Sequence, residues 1–192
     1  MSLKSLALLS LLALPVTALA DWQLAGGESS VNFVSVKKST IAETHHFKSL
    51  SGTIADDGKA SLTIDLASVE TNIPIRNERM QKMLFDTAQF AKATISAQVD
   101  AGKLGAMKAG HTETVSADLT VDIHGSQQTE KALLQVTALD DNRLLITSTA
   151  PIVINASNYK LLEGIDKLRE VAGLDSISPL VPVTVNLIFT KQ

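Results

Sequence analysis

Apolar and polar residues alternate along most of this chain with a period of two, the spacing that puts successive side chains on opposite faces of a β-strand. Trp22–Leu24 opens a first short strand, closed by Gly26-Gly27, and Val31–Val36 begins a second with Val31 and Phe33 on one side. A third strand is predicted from about His46 to Ala55. Asp56-Asp57-Gly58 then turns it into Ser61–Leu66, because Asp-Gly favours the tight turn between antiparallel neighbours. Ala93, Ile95, Ala97 and Val99 share one face of the next strand, and Gly102–Gly110 reads as a loop. Val115 to Ile123 alternates up to Gly125, Glu130–Ala138 follows, and Asp140-Asp141-Asn142 turns the chain into Leu144–Ile154. A last strand carries Val181, Val183, Val185, Leu187 and Phe189 on one face, with Pro182 near its start suited to an end or edge position because it lacks a ladder donor.

Two stretches depart from this period. In Ser68–Val99, Asn72 and Pro74 end a strand, Asn77 is placed to accept from the donors of a following turn, and Glu78 suits the positive end of a helix dipole. Met80, Met83 and Leu84 fall on one helical face, with Arg79 and Lys82 turned away. In Asn155–Ser178, Leu162, Ile165, Leu168 and Val171 recur at helical spacing, and Gly173 is placed to end the helix. The sum is an all-β chain of eight or nine strands with two short helical insertions. Alternation allows either an antiparallel sandwich or a closed barrel, and barrels of about eight strands can hold a ligand.

The first 20 residues stand apart. Lys4, the apolar run Leu6–Leu14, Pro15 and the ending Ala18-Leu19-Ala20 predict an export signal cut before Asp21, and the run is too short to span a membrane. Cleavage leaves 172 of 192 residues, one domain over 21–192, and takes the formal net charge from −3 to −4. There is no cysteine, hence no disulfide and no lipid-anchoring thiol. Scattered basic residues and few aromatics argue against nucleic acid as a partner. The expected compartment is the periplasm.

Candidate chemistry is sparse. His45 and His46 are adjacent on a strand and point to opposite faces, and His111 and His124 lack ordered carboxylate or cysteine neighbours, so no metal site is predicted. No Gly-x-Ser-x-Gly elbow and no phosphate-cradling glycine loop is present, and no catalytic residue is assigned. Arg76, beside Ile73, Ile75 and Met80, is the charged residue best placed to hold a polar head group; the alternative is a cap or ion pair with a neighbouring loop. His46 and Tyr159 are further candidates at the mouth. Phe33, Phe47, Leu62, Ile64, Leu66, Ile95, Ala97, Leu119 and Val121 are the expected inner wall, with Met80, Met83, Leu84 and Phe85 as an adaptable apolar cover.

Several segments together resemble the YceI-like family of secreted lipid- or polyisoprenoid-binding proteins. They are Ser30–Phe33, His46–Gly52, Asp65–Thr71, Ile75–Met80 and Ala117–Val121, with the stretch around Val181-Pro182-Val183. The resemblance implies a lipocalin-like, extended antiparallel β-barrel whose channel takes up a long-chain amphiphile: a polyisoprenoid, an isoprenoid quinone or a fatty-acid derivative. It implies no catalysis and no cofactor beyond such a bound lipid or quinone. Asn77, Ala91, Ile95 and Val36-Lys37-Lys38 depart from the family's usual residues, which bears on the head group more than on the channel. The other reading is a non-catalytic β-sandwich interaction module of the cell envelope with a dry core. A homodimer through an edge strand is compatible with both.

Overall fold

The computed structural model describes residues 22–192, so the leader assigned to residues 1–20 lies outside the described residues. The chain begins with β1 (Trp22–Leu24), β2 (Ser30–Lys37), β3 (Ile41–Phe47), β4 (Leu50–Ile54), β5 (Lys59–Asp65) and β6 (Val69–Glu70). Helix α1 (Pro74–Arg79) runs on into a π-helical turn, Met80–Leu84. Then come β7 (Lys92–Gln98), the short helix α2 (Ala101–Ala106), and the long hairpin of β8 (Thr112–Ile123) and β9 (Ser126–Asp140). β10 (Arg143–Ser148), β11 (Ile152–Asn155), α3 (Leu162–Val171) and β12 (Leu180–Lys191) complete the chain.

Eight of these strands close an antiparallel barrel in the order β1-β4-β5-β7-β8-β9-β10-β12, with β12 returning to β1. β12 is the staple of the fold. Its C-terminal half pairs with β10 and β1, while its N-terminal half pairs with β11 and β2. At about 3.3 Å per residue, its 12 residues run about 40 Å, so the wall extends well past the ring through β2, β3 and β6. On that extended part the outer edges of β6 and β11 carry no further strand among the described residues. The interior is covered there by α1 with its π turn and by α3, which meet at Gly164. A Cβ on Gly164 would lie 2.6 Å from the Met83 carbonyl oxygen and 2.7 Å from Leu84 Cα, so only glycine lets the two segments approach this closely.

Several boundaries differ from the sequence reading. The strand expected over His46–Ala55 is two, because the chain turns a corner at Lys48-Ser49: β3 pairs with β2 and β6, β4 with β1 and β5. Ser68 fastens that corner, its carbonyl accepting from Lys48 N at 3.1 Å and its hydroxyl from Ser49 N at 3.0 Å. Pro151 likewise parts Leu144–Ile154 into β10 and β11. The Gly102–Gly110 loop holds α2, whose cap is Asp100 accepting from Lys103 N. Asn77 caps nothing ahead of it; its side chain reaches back, accepting from Thr71 N at 2.9 Å and donating to Glu70 at 2.9 Å. Pro182 takes the end position rather than the edge: β12 is interior, but Pro182 lies near its start, one residue before the β2 ladder begins at Val183.

Candidate functional site

The barrel is not filled. An elongated cavity of about 700 Å³ runs through it, within the roughly 300–1,000 Å³ typical of sites that enclose small ligands. Its wall is built by the inward period of the strands. Phe33, Phe47, Leu62, Ile64, Leu66, Ile95, Ala97, Leu119 and Val121 all line it, and Met80, Leu84 and Phe85 cover it from the helical side. Phe33, Phe47 and Phe85 form an aromatic row, with centroids 5.4 and 6.0 Å apart. From α3 and the turn before it, Leu161, Ile165 and Leu168 add an apolar stripe; of the helical series read from the sequence, Ile165 and Leu168 face the channel, while Leu162 and Val171 are exposed.

Met83 is turned away, into a smaller polar pocket with Lys82, Asp86 and His124. The cause is the π turn: Phe85 N donates to the Met80 carbonyl, five residues back, at 2.9 Å. One extra residue per turn rotates Met83 off the face that α-helical spacing assigns to it.

At the β2–β3 end the wall becomes polar, with Ser35, Lys37, Glu43, His45, Arg76 and Arg79 lining it beside Ile73 and Ile75. Those two isoleucines are 43% and 52% exposed, so the cavity reaches solvent beside α1. Arg76 donates to Glu43 at 2.9 Å and to the Thr71 carbonyl at 2.7 Å, while its Nε is buried with no partner among the described residues. Glu43 also receives Lys37 at 2.6 Å. The Lys37 hydrogen bond, aided by Arg76, holds the Glu43 carboxyl below its ordinary range. Arg76 is therefore both a cavity residue and the member of an ion pair that the sequence left as its alternative role.

The histidine that faces the cavity is His45, not His46. Phe47 points inward, so the period of two puts His45 inside and His46 on the other face; the alternation that found Phe47 also identifies it. His45 is buried, lies 5.2 Å from the Phe33 ring and shares a 2.9 Å hydrogen bond with Ser35. Burial pushes its pKa down, favouring the neutral ring. Tyr159 does not reach the channel mouth. It is fully buried, and its hydroxyl donates to Glu130 at 2.8 Å, with burial first and that carboxylate second raising its pKa. No cluster of histidine and acidic side chains suited to a metal occurs among the described residues, and no helix among them is long and apolar enough to cross a membrane.

Comparison with known proteins follows the same lines. No functionally curated protein matches the sequence. One solved structure, a polyisoprenoid binding domain from Saccharophagus degradans implicated in plant cell wall breakdown, is 37% identical and superposes with a TM-score of 0.89, covering 91% of this chain and 100% of its own. Burkholderia cenocepacia BcnA is 21% identical with a TM-score of 0.61, over 86% of this chain and 98% of its own, and shares the fold. The family model for the YceI-like domain matches residues 22–189, and with nearly the whole described barrel inside that match the chain belongs to the YceI-like domain family.

Proposed function

We propose that this protein is a periplasmic carrier that sequesters a long-chain amphiphile, a polyisoprenoid, an isoprenoid quinone or a fatty-acid derivative, without acting on it chemically. The observation that carries the reading is the unfilled channel of about 700 Å³ lined by inward aliphatic and phenyl side chains. A dry interaction module would have closed it, since protein interiors pack to near-crystalline density. Membership of the family and likeness to a polyisoprenoid-binding domain support a lipid as the occupant. The driving force is burial, about 0.8 kcal/mol for each methylene withdrawn from water before ordering costs. Arg76 and the charges around it receive the polar end, and the leader delivers the protein to the compartment where such lipids meet water.

Native mass spectrometry of the protein purified from its own periplasm tests this directly. The expected result is a mature chain beginning at Asp21, carrying a stoichiometric adduct of a few hundred daltons that organic extraction releases. A bare mass, with no uptake from a total lipid extract, would overturn the carrier reading.

A further inference from the structure

The channel has a second end, closed differently from the first. Trp22 pairs with both Lys191 and Ile54, Ile54 with Ala60, and Ala60 with Ala97, so the C-terminus of β12 and the end of β7 lie at the end of the barrel away from Arg76. There the sheet does not seal. β7 pairs with β8 only over Thr94–Ser96 against Thr120–Asp122, leaving the β7-facing edge of β8 without a strand partner among the described residues over Thr112–Leu119. Gln98, Asp100 and Lys103 line the cavity and are exposed, and Val115, also in the lining, is 38% exposed.

What stands in this gap is α2 with the turn that follows it. The strap is tied at its two ends, Val99 N to the Gly58 carbonyl at 2.9 Å and Gly110 N to the Ala138 carbonyl at 2.8 Å. Between these ties the backbone hydrogen bonds found among the described residues are local to the strap, such as Leu104 N to Asp100 and Met107 N to Leu104. Leu104 lines the cavity, and Leu104 and Met107 pack against the core from outside the sheet. A six-residue helix carrying Gly102 and Gly105 has little stability of its own, so between its end ties the strap relies on the Asp100 cap and on the packing of Leu104 and Met107.

We propose that α2 is the stopper of the channel's tail end and that Leu104 sets the longest chain the protein accepts. This rests on the carrier reading above. A chain whose head lies at Arg76 runs along β12 until its tail meets Leu104; a longer one must push the strap outward and lose that contact.

Displacement of bound cis-parinaric acid by straight-chain fatty acids, lengthened two carbons at a time, reads the limit. In the unaltered protein apparent affinity should climb by about fourfold per methylene and then level off at a cut-off length. Leu104→Gly should move the cut-off to longer chains, and Leu104→Trp to shorter ones. Val115→Trp, which narrows the same end from β8, should also shorten it and serves if the Leu104→Trp protein does not fold. An identical cut-off in the unaltered protein and in the folded variants overturns the assignment of α2 while leaving the carrier intact. Failure of the unaltered protein to take up any straight chain, together with no uptake from a total lipid extract, overturns the carrier reading itself.

Discussion

Arg76 can be separated from the merely structural polar residues by what each touches. Its guanidinium spans Glu43 and the Thr71 carbonyl at the polar end of a largely apolar cavity. Arg76→Ala leaves the Glu43 carboxylate with Lys37 alone and takes a cation from the mouth, so uptake of a long-chain fatty acid should weaken by about tenfold, the worth of one charge-assisted hydrogen bond. Ile64→Asp places an unpaired carboxylate in the apolar wall and should abolish uptake of an uncharged probe, read by the same displacement assay. Tyr159 predicts the opposite separation. Tyr159→Phe removes the hydroxyl that satisfies Glu130 and should cost about 1–2 kcal/mol in a urea melt, yet leave uptake unchanged, because the ring lies outside the channel lining. The positions of Phe33, Phe47 and Ile64 were legible in the sequence because a period of two needs only one known inward residue to fix the rest. His45 was legible by that argument too. Tyr159 was not, since nothing local says which way a side chain points at the end of the 3₁₀ turn Ala156–Tyr159, once the chain has left the sheet.

Among the elements, the helical cover depends on two devices. One is a latch at its start. Glu70 accepts from Asn77 at 2.9 Å, from Asn72 N at 2.7 Å and from Lys48 at 3.0 Å, joining β3's exit, β6 and α1. Led by the Asn77 hydrogen bond, these pull its pKa down to about 2. A carboxylate depressed on folding adds stability above its unfolded pKa, near 4.5, and loses it as pH falls towards 2. Unfolding followed across that window should show the loss in the unaltered protein and a flatter acid limb in Glu70→Ala. The second device is the contact at Gly164. Gly164→Ala drives a methyl into the backbone of the π turn and should cost about 1–3 kcal/mol by forcing a shift, visible as a lower melting temperature. Neither device could be read from the chain. Helix and strand follow from periodicity, but a π turn adds one residue without a signature, and the meeting of two segments some eighty residues apart is a product of topology. The loop that holds α2 was hidden for a related reason: its three glycines argue for a loop, and the helix forms through the Asp100 cap and the packing of Leu104.

At the scale of the whole molecule, a barrel with an open interior forgoes part of the burial that stabilises a solid one. The sequence showed an inward face of Val, Leu, Ile and Ala with few rings, and that composition is what leaves the channel, since small side chains on opposite walls do not meet. It did not show whether the face would collapse into a sandwich, because closure is decided by β12 reaching β1, a pairing between the two ends of the described chain. A ligand that fills the channel restores the missing contacts in the native state only, so it must raise stability by mass action. Free ligand at a hundredfold excess over Kd adds about 2.7 kcal/mol. For a chain of this length that corresponds to about 5–11 °C in melting temperature. Calorimetry on protein carrying its lipid and on the same protein after gentle delipidation should differ by this amount, with the difference recovered on adding the extracted lipid back. Equal melting temperatures would mean that the channel is stable empty and that its occupant does not bind it tightly. The same scan on Leu104→Gly links this scale to the tail end. Leu104→Gly removes the packing that holds the strap, so the delipidated variant should melt below the delipidated parent, while the stabilisation by chains longer than the parent's limit should increase.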